Sequence, residues 1–210
     1  KIVLPRFFKT DKGEYGEGDR FLGVTVPETR KVAKAHKEAS YELIEALLES
    51  EWHECRLCAL LILIEKYKKE PEPAVRFYLT HLKGVNNWDL VDLSAPYILG
   101  DHLVRIPDHG VLYTLAQSPV MWEQRVSVVS TLMLIRHGRF SDTMKLAEIF
   151  LEAEHDLMQK SVGWMLREVG KRNEALLSGF LEIHRKKMPR TMLRYAIEKF
   201  SPDQRRYFMS

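Results

Sequence analysis

Apolar residues recur at three- and four-residue intervals in one segment after another, and no segment alternates apolar and polar residues as a half-buried strand does. This spacing predicts an all-α chain. The predicted helices cover residues 27–37, 40–49, 52–68, 71–82, 88–105, 108–117, 120–137, 140–152, 155–170, 173–186, 190–199 and 202–208. Prolines and glycines such as Pro71, Pro202 and Gly138 mark their ends. The Gly-rich stretch 9–23 is predicted to be a loop.

Four of these segments share a layout in which a basic residue stands near the start of an apolar helix. They read "HECRLCALLILI", "WEQRVSVVSTLML", "LMQKSVGWMLREV" and "TMLRYAIEKF". The basic residues Arg56, Arg125, Lys160 and Arg194 are separated by 69, 35 and 34 residues, so the first gap equals two periods. A period of about 35 with two helices per repeat predicts an α-solenoid of HEAT-like repeats. We expect one such domain over residues 1–210, with a concave basic face.

The repeat that this spacing leaves unassigned falls in "NNWDLVDLSAPYILGDH", residues 86–102. Val91 takes the basic position there, so Trp88 lies three residues before it and Asp92 one residue after. Trp164 lies four residues after Lys160. At about 100° per residue, these side chains and the basic column fall within an arc of about 100°. The spacing therefore predicts that Trp88, Asp92 and Trp164 share one wall with the cations.

Two interpretations of this wall remain open. The basic residues of one repeat can pair with acids of the neighbouring repeat, and the two tryptophans can be core residues. Alternatively, the wall binds nucleic acid, because Lys and Arg neutralise phosphates and aromatic rings stack on bases or attract cationic ones. The basic clusters near helix ends, including Arg167 in "REVGKR", fit a phosphate-binding rim.

Composition limits the alternatives only mildly. The net charge of +3 and the pI of about 8.8 permit an acidic partner without establishing one. No apolar run approaches the roughly 20 residues that span a bilayer, and no secretory signal pattern is present. We expect a cytoplasmic monomer without a membrane partner, and a further helix ahead of residue 1. Cys55 and Cys58 lie in an apolar helix without a second ligand pair, which favours structural thiols.

Other motifs carry weaker signals. The eight histidines show no metal-ligand spacing, so no metal or cofactor is expected. His53, His102 and His155 are interpreted as surface or capping residues. The segment "GEYGEGD" lacks the Gly-Lys-Ser/Thr of a phosphate-binding loop. Glu14, Glu17 and Asp19 are candidate salt-bridge partners for the first repeat.

The same residues carry a resemblance to a known family. "RFFK", "YGEGDRFLGVTVPETRK", "NNWDLVDLSAPYILGDHL", "MWEQRVSVV", "KSVGWMLREVGKR" and "MPRTMLRYAIEKF" occur in family order over nearly the whole chain. On these motifs the chain resembles the AlkD-type DNA alkylation repair proteins, the HEAT-like-repeat DNA glycosylases. The resemblance implies hydrolysis of the N-glycosidic bond of N3- or N7-alkylated purines in duplex DNA, with the lesion held at the protein surface and no cofactor.

The resemblance also implies roles for individual residues. Trp88 and Trp164 match the active-site tryptophans, Asp92 matches the catalytic carboxylate, and Arg125 matches a DNA-contacting arginine. Phe7 aligns with a position that is Tyr in the best-known branch, so the ring is kept and the hydroxyl is lost. Asn87 replaces a further Trp, and "DKGEYGEGD" is an insertion. Lys160, Arg194, Arg56 and Arg167 are the remaining candidate DNA contacts.

Two other functions are compatible with the fold. A non-catalytic member would bind damaged or branched DNA without releasing a base. A protein-interaction scaffold, the common role of α-solenoids, would present an apolar or acidic groove without DNA affinity.

Overall fold

Helices account for nearly all regular structure in the computed structural model, which describes residues 3–210. The α-helices are α1 Val3–Phe8, α2 Val26–Ala35, α3 Tyr41–Leu48, α4 His53–Tyr67, α5 Pro71–Thr80, α6 Trp88–Ser94, α7 Asp101–Arg105, α8 Gly110–Ala116, α9 Met121–Arg136, α10 Ser141–Ile149, α11 Asp156–Gly170, α12 Glu174–His184, α13 Arg190–Ala196 and α14 Pro202–Met209. A 3₁₀ turn, Leu82–Gly84, and a π-helical segment, Pro96–Gly100, complete them. Within the described range the only β pairing is an isolated bridge between Arg20 and Trp52. The predicted all-α class is confirmed.

Each predicted helix has an observed counterpart, and residues 9–23 contain no helix. Two differences have physical causes. The short α1 was not predicted, because six residues are too few to display a helical period. The predicted continuous helix 88–105 is divided by the π-helical segment. The further helix expected ahead of residue 1 lies outside the described residues.

Pro96 explains that division. Proline has no N–H to donate to the carbonyl four residues earlier, that of Asp92, and its ring crowds that carbonyl. The backbone widens by one residue, and the Gly100 N–H donates to the Ala95 carbonyl at 2.8 Å, an i to i+5 bond. Segments of this kind occur often at functional sites.

The chain divides into two compact units, Lys1–His102 (unit 1) and Leu103–Ser210 (unit 2). In unit 1, α4 packs against α2, α3, α5 and α6. In unit 2, α9 packs against α8, α10 and α11, and α11 packs against α12 and α13. The prediction of one domain over residues 1–210 remains a prediction.

Polar contacts within each unit join residues about one repeat apart. The separations are 34 residues for His53 and Asp19, 36 for His53 and Asp89, 33 for His109 and Asp142, and 32 for Arg125 and Leu157. Such spacing is expected when successive helix pairs stack on each other, so that equivalent positions meet. The helical repeats predicted from the 35-residue period are therefore present.

Local signals explain where several helices begin. At α2 the Glu28 carboxylate accepts from the Thr25 N–H at 2.9 Å, and at α14 the Ser201 hydroxyl accepts from Gln204 N. His155 caps α11 by accepting from Leu157 N at 3.2 Å, as predicted for a capping histidine. Gly163 in α11 is required by packing, since a Cβ there would lie 2.5 Å from the Met192 carbonyl of α13.

The structure also bears on the two cysteines and on membrane-spanning segments. Cys55 is half-buried and Cys58 is buried, and both thiols are free. Burial raises the pKa of the Cys58 thiol, which makes it less reactive. No helix among the described residues is long and apolar enough to cross a bilayer.

Candidate active site

Helix α6 carries Trp88 and Asp92 one turn apart. Asn87, fully buried, begins the helix by accepting from the Trp88 N–H at 2.8 Å through its side-chain oxygen. Residues four apart lie on the same helical face, so the Trp88 ring and the Asp92 carboxyl share one face. Both are half-buried, whereas Leu90 on the opposite side of the helix and Val91 on its flank are fully buried. The predicted pair of an indole and a carboxylate thus exists on one helix.

Asp92 also lies near a buried tyrosine of α5. The Tyr78 hydroxyl lies 2.9 Å from Ser94 Oγ. Burial raises the pKa of Tyr78 strongly, and the negative charge of Asp92 raises that pKa further. Tyr78 therefore stays neutral and keeps its hydroxyl proton beside α6.

Trp88 belongs to a cluster of aromatic rings in unit 1. Phe8 lies at its centre: its ring centroid is 5.6 Å from Trp88 and 5.0 Å from Phe21, and it is nearly parallel to both. Phe7 meets Trp88 edge-on at 5.8 Å and remains 57% exposed. The structure therefore brings two predicted site residues, Phe7 and Trp88, into contact. Phe7 presents an exposed ring beside the half-buried indole.

His53 at the start of α4 lies behind this cluster. Its Nδ1 is 3.0 Å from Asp19 Oδ2, and its Nε2 is 2.8 Å from Asp89 Oδ2. Burial by itself lowers the pKa of His53, but the hydrogen bonds and charges of Asp19 and Asp89 outweigh it and raise the pKa to about 9. His53 is therefore an imidazolium at neutral pH.

The interpretation of His53 as a surface or capping residue was wrong, because it is 2% exposed and paired with two acids. A signal for this pairing was present in the sequence. Asp19, His53 and Asp89 follow one another at close to the repeat period, so equivalent positions of neighbouring repeats were expected to meet. The guess that Asp19 pairs with the first repeat is confirmed.

Arg56 is the basic residue whose place differs most from expectation. It is 5% exposed, forms an ion pair with Asp19, and donates to the Ser50 carbonyl at 2.7 Å. A buried guanidinium paired with an internal carboxylate is poorly placed to neutralise a DNA phosphate. Its environment matches the alternative in which cations pair with acids of the neighbouring repeat.

Asp19 is the shared partner in this network. Burial raises the pKa of its carboxyl, but the His53 hydrogen bond, the Arg56 charge and the Asn87 hydrogen bond together hold that pKa below its usual value. The Asn87 side chain donates to Asp19 Oδ2 at 3.1 Å. The predicted Gly-rich loop thus supplies a carboxylate that is bonded to the residue starting α6.

The candidate residues of unit 2 lie on α9, α11 and α13. Arg125 is 4% exposed and donates to the Leu157 carbonyl at the start of α11. Trp164, half-buried, follows Gly163, the residue that lets α13 approach α11 closely. Arg125 therefore holds the beginning of the helix that carries Trp164.

The remaining predicted cations differ in availability. Lys160 pairs with Asp156 at 2.5 Å, and its side chain is 37% exposed. Arg167 forms an ion pair with Glu198 and is 19% exposed. Arg194 is exposed at the surface of α13. The single wall that would combine these residues with those of unit 1 remains a prediction, as do the monomeric state and the individual DNA contacts.

Metal-binding geometry is a separate matter. Among residues 3–210 no three His, Cys, Asp or Glu side chains are grouped to hold a metal ion. Asp19 and Asp89 of unit 1 each bind His53, and Asp19 also binds Arg56.

The fold and the site place this protein in the class of helical-repeat proteins that carry an indole and a carboxylate on one helix face. The chain belongs to the DNA alkylation repair enzyme family, whose model matches residues 2–200. Its fold is similar to that of a solved structure described as a predicted DNA alkylation repair enzyme from Enterococcus faecalis. The TM-score is 0.80 at 17% identity, over 96% of this chain and 94% of that one, and this likeness concerns the fold. No protein of curated function matches the chain.

Family membership confirms the resemblance seen in the sequence motifs. The protein is accordingly a DNA-repair enzyme of the alkylation-damage type, with DNA as its partner. The reaction and the lesion are inferred from the chemistry of its site.

Proposed function

We propose that the protein is a monofunctional DNA glycosylase that hydrolyses the N-glycosidic bond of N3- or N7-alkylated purines in duplex DNA. The observation that carries this proposal is the pairing of Trp88 and Asp92 on one face of α6, both partly accessible. Family membership supplies the substrate class, DNA with alkylation damage.

The chemistry of the substrate explains why so few residues suffice. Alkylation at N3 or N7 makes the purine cationic, so the base leaves as a neutral molecule without being protonated first. The bond from C1′ to the base nitrogen breaks with its electron pair going to the base. Water then adds to C1′ and loses a proton, which leaves an abasic site and a free alkylpurine.

Asp92 is suited to the positive charge that builds on the sugar as this bond breaks. A carboxylate next to C1′ stabilises the oxocarbenium-like transition state and orients the attacking water. The half-buried position of Asp92 strengthens that interaction, because charges attract more strongly where water is partly excluded.

The tryptophans are suited to the cationic nucleoside. An indole face attracts a cation by about 0.5–2 kcal/mol, depending on desolvation. Trp88 is held by Phe7 and Phe8, so its ring is oriented before the substrate arrives. We assign Trp164 the same role from unit 2.

The DNA backbone is assigned to the more accessible candidates. Arg194 and Lys160 would neutralise phosphates, and the exposed Phe7 ring would lie against the DNA next to Trp88. Arg125 is assigned to the site through its bond to Leu157, at the start of the helix that carries Trp164. Arg56 is assigned no phosphate contact, because its guanidinium is buried against Asp19. Arg167 is assigned none because its side chain is largely covered and paired with Glu198.

The decisive experiment compares wild type with Asp92→Asn on methylated duplex DNA. Release of 7-methylguanine is expected to fall at least about a hundredfold, in line with the loss of one transition-state electrostatic partner. Binding of the same DNA should stay within a few-fold, because a neutral amide replaces a carboxylate near phosphates. Asp108→Asn, an exposed acid whose oxygen caps Gly110 N, is the matched control.

Each other outcome points to a different function. Unchanged release by Asp92→Asn would remove this carboxylate from the reaction. A wild-type protein that binds alkylated DNA without base release would be the non-catalytic binder. A wild-type protein without DNA affinity would be the scaffold.

A further inference from the structure

The two ring nitrogens of His53 each face a carboxylate at hydrogen-bond distance. A neutral imidazole has one N–H, so it can donate to only one of them. Both contacts are hydrogen bonds only when the ring carries two protons. The geometry alone therefore describes an imidazolium that bridges Asp19 and Asp89.

The bridge is part of a balanced set of four buried or half-buried charges. Asp19 and Asp89 are the acids, and His53 and Arg56 are the cations. Buried charges are tolerated when each one is paired and hydrogen-bonded, and removal of one member leaves another uncompensated. Each member of the set is therefore held in place by at least one partner of opposite charge.

Three segments of unit 1 meet in this set. Asp19 ties down the Gly-rich loop, and His53 lies at the first residue of α4. Asp89 lies in the first turn of α6, where its other oxygen accepts from Leu90 N at 2.9 Å. Asn87, which begins α6, donates to the same Asp19. Two residues that flank Trp88 in sequence are therefore both attached to the set.

A second route runs through the rings. The His53 ring is 4.8 Å from Phe8, and Phe8 is stacked on Trp88 at 5.6 Å. His53 is thus linked to Trp88 both through Asp89 in the first turn of α6 and through the Phe8 ring. His53 contacts neither the exposed face of Trp88 nor Asp92 in any of these interactions.

We propose that His53 is a positioning residue whose bridge between Asp19 and Asp89 fixes the first turn of α6, and with it the orientation of Trp88 and Asp92 toward the substrate. This inference rests on the proposed function for what Trp88 and Asp92 do. Its structural content, that the bridge sets the place of Trp88, is independent of the reaction.

The test uses three variants of the full chain. His53→Gln removes the bridge, and Asp89→Asn removes one end of it while keeping the size of the side chain. His109→Gln is the matched control, since His109 in unit 2 is also buried and also pairs with an aspartate, Asp142, at 2.7 Å. Circular dichroism establishes that each variant is folded at the assay temperature.

The first measurement is the fluorine NMR spectrum of protein labelled with 5-fluorotryptophan. The four tryptophans give four resonances, and Trp88→Phe assigns that of Trp88. His53→Gln and Asp89→Asn are expected to shift or broaden the Trp88 resonance and to leave those of Trp122 and Trp164 in place. His109→Gln is expected to leave the Trp88 resonance unchanged.

The second measurement is single-turnover base release beside DNA affinity. His53→Gln is expected to slow release by about ten- to a hundredfold, the scale of a displacement of about 1 Å in a positioned group. The dissociation constant for DNA should change by no more than about twofold, since His53 meets no phosphate. The double variant with Asp89→Asn should be no slower than the slower single variant, because both act through one bridge.

The outcomes separate the two ideas. A folded His53→Gln with an unchanged Trp88 resonance overturns the positioning role. If His53→Gln does not fold, Asp89→Asn decides by the same resonance, and its unchanged position overturns the role equally. Absence of base release by wild type would overturn the proposed function alone, while the Trp88 resonance would still decide whether His53 positions it.

Discussion

Each unit buries one histidine against an aspartate about one repeat away, yet the two histidines have different surroundings. His53 in unit 1 has a carboxylate at both ring nitrogens. His109 in unit 2 has Asp142 at Nδ1, and at Nε2 it has the Leu103 carbonyl at 2.9 Å and the Arg139 guanidinium at 3.0 Å. The buried histidine of unit 1 therefore bridges two acids, whereas that of unit 2 has one acid and otherwise contacts a main-chain carbonyl and an arginine.

The difference shows how one fold uses the same pair of residue types, a buried histidine and an aspartate, for different tasks. In unit 2 His109 and Arg139 contact the carbonyls of Leu103 and Val104 in the last turn of α7, which is ordinary completion of a helix end. In unit 1 the histidine belongs instead to the charged set. That set includes Asp89 and accepts a hydrogen bond from Asn87, and these two residues flank Trp88. The extra charge is found where the candidate chemistry is, as expected for residues that orient a site.

The largest contrast between the units is expected from removal of the shared acid. Asp19→Ala leaves Arg56 buried with no carboxylate, and arginine cannot lose its charge, so a stability loss of about 3–5 kcal/mol is expected. Asp142→Ala leaves a histidine that can be neutral and a tyrosine hydroxyl, so a loss of about 1–3 kcal/mol is expected. Urea unfolding of both variants measures the two losses, and equal losses would contradict the contrast.

The second contrast is in pH dependence. The pKa of His53 is near 6.5 when unperturbed and about 9 in the folded protein. Its stabilising contribution is therefore complete below about pH 6.5 and is lost as pH rises through about 9, amounting to about 3 kcal/mol. The difference in unfolding free energy between wild type and His53→Gln should shrink over this window. A difference that stays constant from pH 6 to pH 10 would exclude the bridging imidazolium.

Two glycines, one in each unit, differ in the space around them. A Cβ on Gly16 would lie 2.3 Å from the Phe8 carbonyl, so Gly16→Ala should displace the loop from α1 and cost about 1–3 kcal/mol. Gly179 lies inside α12 in unit 2 with open space around it, so Gly179→Ala should stabilise by up to about 1 kcal/mol. Thermal unfolding of the pair should give shifts of opposite sign, and a stabilised Gly16→Ala would refute the close approach.

The smallest expected effect concerns the exposed cation of unit 2. If Arg194 meets one phosphate, Arg194→Ala should reduce the slope of log affinity against log salt by about 1, whatever the DNA sequence. Arg76 on α5 is exposed and carries the same charge, so Arg76→Ala is the control. Fluorescence anisotropy between about 50 and 200 mM salt measures both slopes. Identical slopes for the two variants would show that only net charge matters.

The fold was largely predictable because its signals are periodic. Helix α4, for example, needed only its apolar run and Pro71 after it, and the one-repeat spacing of Asp19, His53 and Asp89 is a second expression of the same period. The period alone did not indicate which face of α4 is exposed to solvent. Arg56 was assigned to DNA because a cation in a repeated position looks the same whether it meets phosphate or Asp19.

Other misses come from chemistry that lies outside the period. Pro96 was visible in the sequence, yet a helix interrupted by proline can end, kink or widen, and neighbouring packing decides which. His53 was interpreted as a surface or capping residue because a histidine taken alone carries no sign of its partners, and only its one-repeat spacing from Asp19 and Asp89 indicates them. Trp88 and Asp92 were found because the motif around them is specific, and their shared face then follows from four-residue spacing.

The one-repeat spacing of the buried charges has a consequence for how chains of this family can vary in length. Asp19 lies about one repeat length before His53, and Asp89 lies about one repeat length after it. Gaining or losing a whole repeat between them would therefore leave an ionised group buried without its counterion. The same change beyond Asp89 would leave this set intact. Duplication or deletion of repeats should therefore be tolerated beyond Asp89 and rejected between Asp19 and Asp89.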